Sequence, residues 1–167
     1  MIAVLSDTHG REDARLVGRA AEAVGAADLV IHAGDFTTPA VLADFEAESE
    51  RLVAVCGNVD DQGVRASLPS MATVEVAGVR IVVVHGHEHG ETARAMLGRE
   101  QDAALVVSGH SHRPGVVDAG DLTLLNPGSH ADPRGATPAH AELEPVAGGL
   151  RGRLVDREGV AFESFEV

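Results

Sequence analysis

The chain has 167 residues, a single cysteine and no lysine, and its 26 acidic residues outnumber its 13 basic ones to give a formal net charge of −13. This length predicts one domain, 1–167, that buries roughly 70% of its unfolded surface without a disulfide. These numbers argue against a disulfide-stabilised secreted protein and against a nucleic-acid-binding protein with a basic surface.

The arginine-only basic set and the acidic excess indicate an acidic surface of the kind found in halophiles, and the alternative is a GC-rich genome. In molar salt the screening length falls to roughly 3 Å, so this charge is compatible with a phosphorylated substrate. The first residues do not resemble a signal peptide, and no segment approaches the roughly 18 apolar residues of a membrane span. We therefore expect a cytoplasmic protein in which Cys56 is a buried thiol.

Short runs rich in Val, Ile and Leu predict mostly buried strands at 2–5, 29–33, 52–56, 79–84, 104–107 and 122–125. Helices are predicted between the first three strands. The apolar face of the first helix is Val17, Ala20, Ala21 and Val24, with Gly25 just beyond its end. The second helix starts with Thr38 as N-cap and Pro39 as first residue, and it turns Val41, Leu42 and Phe45 inward.

The second half of the chain predicts a β-hairpin, a short helix and a final antiparallel meander. Ala77-Gly78 separates two apolar runs at 73–76 and 79–84 and is typical of a tight turn. A helix is expected near 91–98, and alternating residues after Pro138 indicate the meander. The predicted fold class is α/β, with two packed β-sheets flanked by helices.

Segments rich in Asp, His and Asn follow nearly all of these apolar runs. They are 7–9, 34–35, 57–60, 85–87, 109–112 and 126–129. Because strand ends of an α/β sheet meet at one edge, these side chains are expected to converge there. Seven of them are candidate metal ligands, namely Asp7, His9, Asp35, Asn58, His85, His110 and His112. Each one alone could equally be a helix cap, a turn residue or a core histidine, and only the set predicts a metal site.

The order and spacing of these motifs, from Asp7 to about Arg134, resemble the calcineurin-like metallophosphoesterases, and the short length and the 57–60 motif are most similar to the small YfcE-type phosphodiesterases. The resemblance implies a four-layer α/β/β/α sandwich and two metal ions bridged by Asp35. It assigns metal 1 to Asp7, His9, Asp35 and His112, and metal 2 to Asp35, Asn58, His85 and His110. It also implies manganese, although the nitrogen and oxygen ligands suit iron, cobalt, nickel or zinc as well. A homodimer is expected by similarity only.

The chain departs from the larger enzymes of this superfamily at Val59, where they carry a general-acid histidine. We expect His87, His89 or a metal-bound water to take that role, and Asp60 to orient a site histidine. The predicted catalytic residues are thus Asp35, Asn58, Asp60 and His87.

Other polar residues receive less specific assignments. His32 is assigned to packing, and His130 and His140 are assigned to the surface. The 126–129 segment either borders the site or is a rigid turn. Arg113 and Arg134 are candidates for holding a distal group of the substrate.

The predicted reaction is the hydrolysis of a small phosphate ester, most simply a phosphodiester, by a hydroxide activated between two metal ions. A non-catalytic interaction scaffold on the same fold, like the metallophosphoesterase-like subunit of retromer, is the first alternative because Val59 replaces a catalytic residue. A DNA-repair nuclease is the second alternative, and the absence of a basic track argues against it. The natural substrate is not specified by the sequence.

Overall fold

A computed structural model describes all residues, 1–167, as two β-sheets packed face to face with helices on both outer faces. The strands are β1 (Ile2–Leu5), β2 (Leu29–His32), β3 (Leu52–Ala54), β4 (Met71–Val76), β5 (Val79–Val84), β6 (Leu105–Val107), β7 (Gly115–Asp118), β8 (Thr123–Asn126), β9 (Ala139–Val146), β10 (Gly149–Asp156) and β11 (Ala161–Glu166). The helices are α1 (Gly18–Ala26), α2 (Pro39–Glu48), α3 (Gln62–Ser67) and α4 (Glu91–Glu100). This architecture confirms the predicted fold class.

The first sheet has the strand order β11-β10-β9-β1-β2-β3. β1, β2 and β3 are parallel, as right-handed β-α-β crossovers require. β9 pairs antiparallel with β1, and β10 and β11 extend the sheet as the predicted meander. The N-terminal strand is therefore a central strand, completed on one side by the last part of the chain.

The second sheet has the order β4-β5-β6-β8-β7. β4 and β5 form the predicted hairpin, and Ala77 and Gly78 at its tip have φ values of 52° and 78°. β5, β6 and β8 are parallel, so their carboxyl ends lie at one edge. That edge and the corresponding edge of the first sheet carry the six polar segments.

Apolar side chains fill the space between the sheets and beneath the helices. Val4 and Ile31 from the first sheet meet Ile81 and Leu105 from the second. Residues on the other face of each strand pack against helices, as Val30 packs with Phe45 of α2. Burial on both faces explains the nearly continuous apolar strands.

The structure corrects the predicted first helix. α1 begins at Gly18, so Val17 is an exposed N-cap, and Gly25 lies inside the helix rather than beyond its end. The backbone N–H of Arg19 donates to the Arg157 carbonyl, which ties the start of the helix to the β10–β11 turn. Ala23 takes the inward position, and a local apolar pattern could not show this distant contact.

Two short elements, α3 and β7, were not predicted from the sequence. The predicted burial is also wrong for three residues. α3 has six residues and β7 has four, too few for a periodic pattern. Cys56 is partly exposed rather than buried. His130 and His140 are buried, not on the surface; His140 Nε2 lies 3.1 Å from Glu142 Oε1, in a network that also includes two arginines.

Buried His130 predicts a pH dependence of stability. Burial lowers its pKa to about 4, so below pH 6.5 the unfolded chain binds the proton first. We expect the free energy of unfolding of metal-free protein to fall by about 3 kcal/mol from this residue between pH 6.5 and pH 4. Urea unfolding of wild type and His130→Gln at both pH values measures this fall. An equal pH dependence of the free energy of unfolding in both proteins would contradict the prediction.

No helix in the structure is long and apolar enough to cross a membrane.

Candidate metal centre

Five of the seven candidate ligands have left-handed backbone conformations. The φ values are 54° at Asp7, 47° at His9, 62° at Asp35, 67° at His110 and 59° at His112. Each such residue costs roughly 1–2 kcal/mol relative to a right-handed conformation. The conformation turns each side chain back over the strand end, toward the common edge of the sheets. Strain concentrated in this way is typical of a functional site.

The first ligand group lies after β1 and β6. His9 Nε2 is 3.1 Å from His112 Nε2, and His112 Nε2 is 3.4 Å from Asp7 Oδ1. Asp35 Oδ2 lies 3.5 Å from His9 Nε2. The structure therefore brings together the four side chains assigned to metal 1.

The second ligand group shares Asp35 with the first. Asp35 Oδ2 is 3.2 Å from His85 Nε2, and Asn58 Oδ1 is 3.0 Å from both His85 Nε2 and His110 Nδ1. One carboxylate oxygen thus lies beside a histidine of each group. These are the four side chains assigned to metal 2.

Neighbouring carbonyls hold two of the histidines in the tautomer that a metal needs. His85 Nδ1 donates to the Ala33 carbonyl at 2.8 Å, and His112 Nδ1 donates to the Asp132 carbonyl. In the neutral form of each ring, Nε2 then carries the lone pair, and it points into the cluster. This is the usual way in which a protein orients a ligating imidazole.

The geometry fits divalent cations. Ligand atoms that share a cation at bond lengths of about 2.1 Å lie about 3.0–3.4 Å apart, which matches the separations within both groups. Several electron-pair donors face one another with few protons among them. Two overlapping groups, Asp7-His9-His112 and Asp7-Asp35-His85, have ligand atoms within 4.8 Å of one another. The residues present therefore suit a two-metal centre of nitrogen and oxygen donors.

The protonation of the cluster reflects burial and mutual charge. Burial raises the pKa of Asp7 and lowers the pKa of His9 and of His110. Burial is the largest single influence on the central pair and opposes both shifts, but the hydrogen bond and the charge interactions around Asp35 and His85 together outweigh it, lowering the pKa of Asp35 and raising that of His85. The contact between Asp35 and His85 thus favours the charged form of both side chains.

Asp60 has a different role from the predicted one, because its carboxylate contacts no histidine. It is buried and accepts backbone N–H groups from Asp35 at 3.2 Å, Thr37 at 2.7 Å and Gly57 at 2.6 Å. Asp60 thus fastens the loop after β2 to the loop after β3. It fixes the backbone of the bridging Asp35 rather than a ring.

Ser6 is a supporting residue that the sequence analysis missed, and Ser129 belongs to the 126–129 segment, whose role it left open between the site border and a rigid turn. Ser6 Oγ donates to Asp7 Oδ2 at 2.7 Å, and Ser129 Oγ donates to the Asp7 carbonyl at 2.7 Å. A Cβ at Gly109 would lie 1.7 Å from Ser6 Oγ, so a glycine is required there. The 126–129 segment therefore does border the site, and the signal was its Ser directly after the Pro-Gly turn.

His87 and Val59 lie at the exposed side of the second group. The ring centroid of His87 is 5.4 Å from that of His85 and 6.1 Å from that of His110. Val59 is 42% exposed, and its backbone N–H donates to Asp35 Oδ1 at 3.0 Å. The position that carries a histidine in larger enzymes is here an apolar, exposed residue, and His87 is a histidine outside the ligand set whose ring contacts two ligands of the second group. His32, in contrast, is buried against Phe36, as expected.

Comparison with known proteins assigns the family. A sequence model of the calcineurin-like phosphoesterase superfamily domain matches residues 1–145, and the chain belongs to that superfamily. A probable metallophosphoesterase of Methanocaldococcus jannaschii is 35% identical over 139 residues, which cover 80% of this chain and 70% of that protein.

Two further comparisons concern a relative that is named a phosphodiesterase and a structural neighbour of low sequence identity. A phosphodiesterase of Methanocaldococcus jannaschii is 25% identical over 140 residues, covering 76% of this chain and 82% of that protein. The structure of Vacuolar Protein Sorting 29 from Cryptosporidium parvum superposes with a TM-score of 0.82 at 17% identity, covering 99% of this chain and 96% of the other. The second similarity establishes the fold and says nothing about catalysis.

Proposed function

We propose that this protein is a metal-dependent phosphodiesterase with two divalent cations in its site. The observation that carries the proposal is the position of Asp35 Oδ2, 3.5 Å from His9 Nε2 and 3.2 Å from His85 Nε2, between two complete ligand groups. The superfamily membership supports phosphoester hydrolysis, and the similarity to a named phosphodiesterase favours diesters.

When bound, two cations at these groups supply Lewis-acid activation of a water and neutralise charge on the phosphate. The residues of the chain hold the geometry. Asp35 uses Oδ1 to accept the Val59 N–H and leaves Oδ2 for the shared position. His85 and His112 are kept in the ligating tautomer by backbone carbonyls. The proposal assigns to His87 the donation of a proton to the leaving group, and the contacts of its ring with His85 and His110 support this role.

Manganese is the cation that we propose, with iron, cobalt, nickel and zinc as alternatives. The donor set has carboxylate, amide and imidazole groups and no thiolate, which suits all of these metals. The choice of manganese rests on the family resemblance, because the affinity order alone does not select a metal.

A non-catalytic interaction scaffold is the second candidate. The presence of Val59 in place of a histidine favours it, and the superposition on Vacuolar Protein Sorting 29 shows that the fold is compatible with it. The seven-ligand set favours the enzyme, because a scaffold has no need for seven converging donors, five of them held at strained backbone positions.

A metal-by-substrate panel tests the proposal. Protein stripped with EDTA is reloaded with each metal and assayed on bis(p-nitrophenyl) phosphate and p-nitrophenyl phosphate, in low and in molar salt. We expect metal-dependent turnover that is faster on the diester. Absence of turnover with every metal at both salt concentrations would overturn the proposal and favour the non-catalytic scaffold.

His87→Gln should separate substrates by leaving group. An alkyl leaving group needs a proton, so its release should slow about a hundredfold without a general acid. Nitrophenolate leaves without a proton, so turnover of the nitrophenyl diester should change by less than about threefold. The two rates are compared in wild type, His87→Gln and the control His89→Gln. Equal losses on both substrates would show that His87 is not the proton donor.

A further inference from the structure

One arginine side chain reaches the ligand groups directly. Arg134 Nη2 lies 3.4 Å from His9 Nε2, and no other guanidinium lies within hydrogen-bonding distance of a ligand side chain. The side chain of Arg134 is 56% exposed, so its head lies where the first ligand group opens to solvent. Arg65 also reaches the centre, but it donates to the backbone carbonyl of Asn58, so Arg134 is the cationic side chain that contacts the side chain of a candidate ligand.

The segment that carries Arg134 is itself built into the centre. Arg134 Nε donates to Asp132 Oδ2 at 3.1 Å, and the Asp132 carbonyl accepts the Nδ1 proton of His112. Ser129 Oγ accepts the Asp132 N–H at 2.8 Å while it donates to the Asp7 carbonyl. Arg134 also has a left-handed φ of 47°, like the ligands. Its position is therefore coupled to two ligands of the first group.

The contact between Arg134 and His9 cannot coexist with metal ligation. Arg134 can only donate a proton, so it uses the same Nε2 lone pair that a cation requires. A cation would also repel the guanidinium at this distance. In the loaded protein, Nη2 therefore loses this partner, while Nε remains tethered to Asp132.

A guanidinium tethered beside a cationic centre, with free N–H groups, matches the oxygens of a phosphate. We propose that Arg134 binds the non-bridging oxygens of the substrate phosphate at the His9 side of the centre, an inference that rests on the proposed function. In the metal-free protein the same side chain covers His9. When metal and substrate are bound, Arg134 thus gives up its contact with His9 Nε2 and donates to a phosphate oxygen of the substrate.

Arg113 offers a matched control. It directly follows the ligand His112, it is exposed, and its side chain has no polar partner. Arg113→Gln and Arg134→Gln therefore remove the same charge, the first next to His112 in the chain and the second in contact with His9. Only Arg134→Gln removes the contact at His9.

The test measures the binding of inorganic phosphate and of manganese by calorimetry, without any turnover. We expect Arg134→Gln to weaken phosphate binding to the manganese-loaded protein about tenfold or more, the loss of a charge-assisted pair of hydrogen bonds. The phosphate affinity of Arg134→Lys should lie between those of wild type and Arg134→Gln, because lysine keeps the positive charge but lacks the paired N–H donors of the guanidinium. Arg113→Gln should stay within about twofold of wild type.

Manganese binding without phosphate should change in the opposite direction. Arg134→Gln should bind manganese about threefold more tightly, because no guanidinium competes for the His9 lone pair. Unchanged phosphate affinity in Arg134→Gln, or a loss of both affinities, would overturn the inference. A loaded wild type that binds phosphate through Arg134 but hydrolyses no ester would instead overturn the proposed function alone.

Discussion

Asp35→Asn is expected to lower turnover of the phosphodiester by more than about a hundredfold while the protein stays folded. Loss of a residue that only supports a ligand costs 10- to 100-fold in metal-site proteins, and Asp35 is placed to serve both ligand groups. The amide is nearly the same size as the carboxylate, so the packing of this buried residue is kept. Steady-state rates on bis(p-nitrophenyl) phosphate with saturating manganese measure the effect.

The matched control for this variant is Asp121→Asn, which makes the same chemical change at an exposed ion pair with Arg99. That pair is solvent-exposed, so it adds little to stability, and it lies outside the two ligand groups. Its turnover should equal that of wild type. Wild-type turnover by Asp35→Asn, with circular dichroism and unfolding curves of folded protein, would exclude Asp35 as the shared ligand.

Asp60→Ala should lower the free energy of unfolding by about 3 kcal/mol or more. The substitution leaves the backbone N–H groups of Asp35, Gly57 and Thr37 without an acceptor; the first two are buried and cost about 1–3 kcal/mol each, and the third is partly buried. Denaturant unfolding in EDTA measures the change without any contribution from metal. Turnover should fall as well, because the loop that carries Asp35 is released.

Asp61→Ala is the control for this stability loss. Asp61 is exposed and caps α3 through a single N–H, that of Val64, so its loss should cost about 1 kcal/mol. If Asp60→Ala were no more destabilised than Asp61→Ala, the fastening role of the Asp60 carboxylate would be refuted.

The sequence predicted the sheets and the seven ligand candidates because both depend on local patterns. Apolar runs such as 79–84 form strands wherever burial on two faces is available, and β5 has the predicted bounds. Polar residues placed directly after such runs are brought to one edge by parallel pairing. The convergence of Asp7, Asp35 and His85 follows from this topology alone.

Other features depend on contacts between distant parts of the chain, which a local pattern does not contain. The burial of His140 requires β9 to pair with β1 and to place Glu142 among arginines. The partners of Asp60 are backbone groups, and backbone groups have no signature in sequence. The sequence offered Arg134 and Arg113 equally as arginines that could hold the substrate, and only the folded structure shows that Arg134 contacts a candidate ligand.

The pairing of β1 with β9 joins two strands that are far apart in the chain and so leave the ribosome at different times. Ile2 is aligned with Leu143, about 140 residues later, so the strand that leads to Asp7 gains its second neighbour only after Leu143 has been synthesised. Ser129, which holds the Asp7 carbonyl, likewise emerges late. A nascent chain that has not yet reached β9 therefore lacks the strand and the serine that support the backbone around Asp7.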